Sequence, residues 1–269
     1  MCPRGARMIT GEGGLLARAR LVCHCLLIEC ANELVLVDTG FGLADARNPR
    51  QLGVTFTNTI SPQLDASETA ISRIRALGFD PADVRHILTT HLDLDHTGGL
   101  PDFPDADVHL LGRELQAGMN PDWRSRQRYI AAHWSHGPHW VEHEAGGDQW
   151  FGFDSVRVLP GSDEEILLIP LPGHTFGHAG VAVKQADRWL LHCGDAYFHR
   201  GQVQTPAHCP PALALIQVVD QVDGAARRQN VERLRELAER HGDEVELVCS
   251  HDPVTLARYP EAVGSASVA

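Results

Sequence analysis

The chain has 269 residues, of which 43% are hydrophobic and 22% charged. That is the balance of a water-exposed globule with a sizeable core, and the length suits a single domain spanning 1–269. A net charge of −12 disfavours a nucleic-acid partner, which would want a basic stripe. No apolar run is long enough to suggest a membrane span.

Near the N-terminus, Arg4 and Arg7 precede no apolar run of signal-peptide length. Seven cysteines, at 2, 23, 25, 30, 193, 209 and 249, form no regular disulfide framework. Their odd number fits a reduced, cytoplasmic protein. Leu21–Glu29 and Glu33–Asp38 read as two strands around Cys30-Ala31-Asn32, a hairpin. Cys23-His24-Cys25 looks like a metal pair, but in a strand residues two apart share a face, so buried thiols are the expectation. Residues 48–64 read as loop. A helix opens at Asp65 and runs to about Leu77, with Ala70, Ile71, Ile74 and Leu77 on its apolar face and Gly78 after it. A short strand, His86–Thr90, follows.

That strand leads into Thr90-His91-Leu92-Asp93-Leu94-Asp95-His96-Thr97-Gly98-Gly99. Four imidazole and carboxylate side chains within six residues suit a borderline divalent cation such as zinc, iron or manganese. Gly98 and Gly99 are expected to permit a turn closed to bulkier residues. Val108–Leu111 is another short strand. The stretch from 115 to 153 then holds four of the five tryptophans and four histidines, with no clean helical or strand period. It reads either as an insertion lying over a site, its aromatics contacting substrate, or as a packing cluster with solvated histidines. Its histidines pair poorly for a second metal site because Gly137-Pro138 interrupts them.

Ser155–Leu159, Glu165–Pro170, Ala179–Val183 and Trp189–Cys193 read as strands in series. Asn230–His241 reads as a helix with Val231, Leu234, Leu237 and Ala238 inward, and Val245–Cys249 as a last strand. Three of these strands run into further ligand-type residues: His174 after Pro172-Gly173, Asp195 after Gly194, and His251 after Ser250. One pattern thus recurs four times, an apolar strand ending on His or Asp. Strand ends that deliver ligands to one sheet edge make a site.

From about Leu21 to His251 the chain resembles the metallo-β-lactamase superfamily. The resemblance rests on the His91–His96 cluster, the Pro172-Gly173-His174-Thr175 turn, Gly194-Asp195, His251, and the early Val37-Asp38-Thr39-Gly40. It implies a four-layer αββα sandwich, and two divalent metal ions with zinc favoured over iron or manganese. The implied ligands are His91, Asp93 and His174 for a first ion and Asp95, His96 and His251 for a second, with Asp195 bridging. Asp93 departs from the family's signature, which has His there. A carboxylate is harder than imidazole and moves preference toward iron or manganese. A flavoprotein branch of the superfamily also carries a carboxylate here, with a further domain for which this chain has no room.

The resemblance further implies a metal-bridging hydroxide that attacks a carbonyl, with Asp95 as proton shuttle. An oxyanion donor is also expected. Tyr197 and His199 are candidates, since on a strand both would share the face of Asp195. The lactonase branch has a Tyr nearby at a different offset, and for Tyr197 core packing is the slightly favoured reading. True β-lactamases of the superfamily have Cys where Asp195 stands, and the glyoxalase II-type branch needs a longer C-terminal region. The best resemblance is to N-acyl homoserine lactonases. The expected substrate is a small ester, lactone or thioester with an apolar acyl part. The alternatives are an iron-dependent oxidoreductase of the same fold and a silent ligand-binding member.

Overall fold

A computed structural model describes residues 1–31, 33–123, 125–159 and 165–259. It has two sheets. The first holds β1 (Leu26–Glu29), β2 (Leu34–Val37), β3 (Val84–Leu88), β4 (Asp107–Leu111) and β5 (His139–His143), adjacent in that order. β1 pairs antiparallel with β2 and every later pair is parallel. The second sheet holds β6 (Asp148–Trp150), β7 (Phe153–Arg157), β8 (Ile166–Pro170), β9 (Ala179–Gln185), β10 (Arg188–His192) and β11 (Val245–Val248), also in sequence order. There only β10 and β11 run parallel.

The layers follow from which strand faces are apolar. Ile28, Val35, Val37, Leu88 and Leu111 of the first sheet pack against Ile166, Leu168, Val181 and Val183 of the second. The other face of the first sheet, with Leu36, Ile87 and Val108, is covered by Ile71 and Ile74 of the helix Ala70–Ala76. The other face of the second, with Leu167, Ile169 and Leu191, is covered by Val231, Leu234 and Leu237 of the helix Gly224–His241. Strands buried on both faces lose the alternation of a half-exposed strand, which is why Ile166-Leu167-Leu168-Ile169 is an unbroken apolar run. The result is the expected αββα sandwich.

Several elements differ from expectation. Residues 48–64 contain a 3-10 turn, Pro49–Leu52, and a helix, Val54–Ile60. That helix buries no side chain, so no apolar period marked it. The long helix starts at Gly224, not Asn230, where Asp223 accepts from the Ala225 and Ala226 amides at 2.9 and 3.0 Å. The helix Pro211–Asp220 lies where no element was expected. Leu21–Cys25 belongs to no strand and instead bonds to the loop after β11, His24 N–H donating to Ser250 O at 2.9 Å. β1 therefore begins only at Leu26. The hairpin is present, although Asn32 lies outside the described residues. So do 160–164, which include the start of the segment before β8.

The stretch 115–153 is divided among elements. It includes the end of the helix Gly112–Met119, two 3-10 turns, and then β5 and β6. Residues 139–143 and 148–150 are strands of the two sheets, where the sequence showed no clean period. Trp150 and Phe153 belong to the core under the long helix. Trp134 and Trp140 pack around Leu92, Leu110 and Tyr129. Trp123 is exposed.

Candidate metal centre

β2, β3, β8, β10 and β11 all point their C-terminal ends to one edge of the sandwich. They deliver Asp38, His91, His174, Asp195 and His251 respectively. The short helix Leu94–Thr97 adds Asp95 and His96. All are buried. Asp195 is the hub: its Oδ2 lies 3.1 Å from His251 Nε2, 3.5 Å from His174 Nε2 and 3.8 Å from His91 Nε2. Its Oδ1 lies 3.5 Å from His96 Nε2. Two overlapping ligand triads result, His91–His174–Asp195 and His96–Asp195–His251. Asp95 stands 3.6 Å from His251 Nε2 and 3.9 Å from His96 Nε2.

The outward ring nitrogens explain the inward ones. His96 Nδ1 meets Asp38 Oδ2 at 2.8 Å, and His251 Nδ1 donates to Val22 O at 2.7 Å. His91 Nδ1 meets Thr90 Oγ1 at 2.9 Å. Each bond turns Nε2 toward the centre, as outer partners do at metal sites. His91 Nε2, His96 Nε2 and Asp195 Oδ1 are buried with no hydrogen-bond partner among the described residues. Buried polar atoms are seldom left so, and three aimed at one point fit a cation. His178 accepts from the Asp195 amide at 2.9 Å through Nε2 and donates from Nδ1 to Leu171 O at 3.0 Å. It thereby fixes the hub.

Electrostatics follow the same geometry. Burial opposes charge on His96, yet the Asp195, Asp38 and Asp95 carboxylates hold it well above the ordinary imidazole range. Burial likewise opposes charge on His251, which Asp195 raises. Burial would raise Asp195, but His251 and His96 hold it well below the carboxylate range. Asp38 has φ 53°, a left-handed conformation uncommon for a non-glycine residue. There its carboxylate also takes the Thr90 amide and hydroxyl, each at 2.8 Å.

Asp93 reaches the centre too, its Oδ2 2.9 Å from His174 Nε2 and 3.4 Å from His91 Nε2. It is not free. Arg128 Nη2 donates to the same Oδ2 at 2.8 Å, and Nε sits 2.8 Å from Oδ1 without hydrogen-bond alignment. Arg128 also meets Asp220 Oδ1 at 3.3 Å and donates to His174 O at 3.2 Å. Burial would raise the Asp93 carboxyl, but Arg128 first and then His91 and His174 hold it well below the usual range.

Two glycines of the loop have a different role from the one expected. Gly98 and Gly99 have φ −57° and −87°, open to any residue. What excludes side chains is space. A Cβ on Gly98 would lie 2.1 Å from Asp45 Oδ2, and one on Gly99 2.9 Å from Thr39 Cβ. Asp45 in turn holds His133 Nε2 at 3.1 Å, whose Nδ1 meets Thr97 Oγ1 at 3.1 Å. Glu114 accepts from the Leu92 and Gly177 amides, both at 3.0 Å, tying the His91 loop to the His174 turn.

Tyr197 is corrected. The chain leaves β10 through a turn at Gly194 (φ 52°), so strand parity fails and Tyr197 enters the core beside Cys193 and Cys249. It is 1% exposed, and its neighbours are these core thiols rather than the ligand set. His199 caps a 3-10 turn, its Nδ1 accepting from the Gly201 amide at 3.1 Å. Phe198 stands at the centre instead, its ring 5.0 Å from that of His251 and 5.8 Å from that of His174. It walls a cavity of about 230 Å³ with Ile9, Leu21 and Leu213, which His251 and His199 also line. Cys23, expected to be a buried strand thiol, groups with Asp95 and His251 at this edge.

A family model, that of the metallo-beta-lactamase superfamily, matches residues 18–251. The chain belongs to that superfamily. It is 42% identical over 234 residues to the "Probable metallo-hydrolase Rv2300c" of Mycobacterium tuberculosis, covering 87% of this chain and 75% of that one. It is 30% identical over 230 residues to the N-acyl homoserine lactonase AttM of Agrobacterium fabrum, covering 84% and 80%. Among solved structures, an N-acyl homoserine lactone hydrolase with N-hexanoyl-L-homoserine bound at its catalytic metal center superimposes with a TM-score of 0.70 at 18% identity, covering 96% of this chain and 92% of that one. The dizinc quorum-quenching lactonase AidC superimposes at 0.59 with 15% identity, covering 94% and 84%. These superpositions carry the fold. The superfamily member is a metallo-hydrolase related to lactonases.

Of the expected site residues, the structure brings together His91, Asp93, Asp95, His96, His174, Asp195 and His251. Arg128, Glu114, His178 and Phe198 were missed. Asp38 was quoted only as part of a motif. Arg128 carries no local signal, because its partners lie 35 and 46 positions away.

Proposed function

We propose that this protein hydrolyses a small lactone, ester or thioester at a paired divalent-cation centre, with zinc the preferred ion and residues 1–269 forming one domain. Supporting it is one observation above the others: unpartnered His91 Nε2, His96 Nε2 and Asp195 Oδ1 converge beside a largely apolar cavity. His91, Asp93 and His174 would hold one ion, Asp95, His96 and His251 the other, and Asp195 both. When bound, such a pair polarises a carbonyl and provides hydroxide near neutral pH.

The chain's own residues do the rest. Asp38, Thr90 and the Val22 carbonyl fix the ring orientations, and His178 fixes Asp195. Asp95, the most exposed carboxylate of the set at 9%, can carry a proton from the attacking side to the leaving oxygen. Ile9, Leu21, Phe198 and Leu213 would receive the acyl part. With Phe198 at the centre and Tyr197 in the core, a tyrosine hydroxyl is not assigned to the oxyanion. AttM is named an N-acyl homoserine lactonase, and acyl lactones of that kind are the first substrates to try. The odd cysteine count of the sequence supports a cytoplasmic location. Among the described residues no helix is long and apolar enough to cross a membrane.

The iron-oxidoreductase alternative drew on the hardness of Asp93. Arg128 shares that carboxylate's charge, which weakens the case for iron. The test is a panel of acyl lactones, aryl esters and thioesters against zinc-loaded protein, with elemental analysis. Turnover lost in Asp195→Ala together with about two zinc equivalents would support the reading. Full metal content without turnover on any of the three classes would overturn it.

A further inference from the structure

A second cluster of metal-ligand chemistry lies on the first sheet, away from the centre just described. It centres on the middle of β3 (Val84–Leu88), where His86 lies five residues before His91. His86 on β3 and Asp107 on β4 are register partners, and His109 is two residues on along β4. His86 Nδ1 lies 3.0 Å from His109 Nε2 and 4.0 Å from Asp107 Oδ2. The three residues offer ligand atoms all within 4.8 Å of one another.

We propose that His86, His109 and Asp107 form a second, non-catalytic site for an imidazole-preferring divalent cation of the zinc type. A cation bound at 2.0–2.2 Å by each ligand needs ligand atoms roughly 3 to 4 Å apart, close to what these side chains already present. The ligands are also backed. His109 Nδ1 meets His143 Nε2 on β5 at 3.0 Å, which leaves Nε2 for the ion. His139 Nδ1 donates to Asp107 Oδ1 at 2.7 Å, leaving Oδ2. Glu33 stands 3.6 Å from His86 Nε2. A partner on the far atom of each ligand is the usual arrangement around a bound metal.

A bound ion would take the place of the proton now shared between His86 Nδ1 and His109 Nε2. The site is reachable, because the Asp107 side chain is 40% exposed and that of His86 19%. Two imidazoles and one carboxylate suit zinc, nickel or copper over magnesium or calcium. The ion would join β3 to β4, and through His143 and His139 brace the edge strand β5.

The test uses the full chain with its catalytic centre already loaded with zinc. Zinc titration followed by calorimetry compares wild type with His86→Ala and with Asp107→Asn, each checked for fold by circular dichroism. The expected result is one further zinc equivalent in wild type that is missing in both variants, while hydrolytic activity stays the same. A rise in wild-type melting temperature with that equivalent should vanish in the variants. If wild type and both folded variants bind the same number of equivalents, the three residues are only a hydrogen-bonded chain and the proposal falls. Failure here leaves the hydrolase reading untouched, because that reading concerns the other ligand set.

Discussion

The two halves of the candidate centre share Asp195 yet differ in who owns their carboxylate. In one, Asp95, His96 and His251 face inward, with the two rings set from behind by Asp38 and the Val22 carbonyl. In the other, Asp93 stands between His91 and His174 but is shared with the Arg128 guanidinium. One half offers a cation a full negative charge beyond Asp195, and the other a carboxylate already paired with a buried cation. A position that counts as a ligand in the sequence can thus be partly spoken for in the fold. The Asp95 half should fill first and more tightly.

The largest effect should come from the shared group. Asp195→Ala is expected to empty both halves and lower kcat/KM on the order of 10³-fold, since a metal supplies several kcal/mol of transition-state stabilisation. Elemental analysis and kinetics on one preparation check this. Equal metal content in the variant would mean that Asp195 is not the hub. Next come the residues behind the rings. Asp38→Ala should weaken the tighter equivalent by about 10–100-fold, as outer partners of ligating histidines do, and leave the weaker one little changed. A chelator competition that showed both equivalents weakened alike would erase the distinction between halves.

Arg128 gives the sharpest contrast. Arg128→Met strands Asp93 in a buried place, so the metal-free protein should lose about 3–5 kcal/mol of stability. Excess zinc should restore that loss, because Asp93 is then free to ligate, and the weaker equivalent should bind more tightly. Denaturant unfolding with and without zinc reads both signs. Asp93→Ala should remove the weaker equivalent and most activity, and Asp93→His should shift metal preference toward zinc.

The pH dependence also has a definite sign. His96, His174 and His251 are held above the ordinary imidazole value in the metal-free protein. They are therefore protonated at and somewhat above pH 6.5, and a metal must displace those protons. Apparent zinc affinity should rise as pH climbs through the raised values and fall below them, with proton release measurable by calorimetry in buffers of different ionisation enthalpy. The smallest effect is expected at Tyr197. Tyr197→Phe should cost about 1 kcal/mol of stability through its lost contact in the core and leave kcat/KM within about twofold. A large kinetic loss with normal stability would return Tyr197 to the site.

Much of this molecule is local in origin and hence legible along the chain. Strands ending on His or Asp appear as apolar runs followed by a polar residue, because burial on both faces removes alternation and the loop at the sheet edge holds the chemistry. His91 to His96, His174, Asp195 and His251 are of this kind, as is the mixture of helices and strands, while the αββα layers are what the superfamily resemblance implies. The extent of a helix that buries nothing, such as Val54–Ile60, has no such mark. The direction of Tyr197 was beyond the sequence for a related reason. One residue in the left-handed region at Gly194 resets the parity on which strand reasoning depends.

What only the tertiary structure decided is which distant groups meet. The contact of Arg128 with Asp93 joins positions 35 apart, that of His133 with Asp45 positions 88 apart, and that of His251 with Val22 positions 229 apart. The sequence determined that imidazoles and carboxylates would gather at one sheet edge, because each is tied to its own strand end. How much of each ligand's charge is left for a cation depends on partners brought in by chain packing. No local pattern records it.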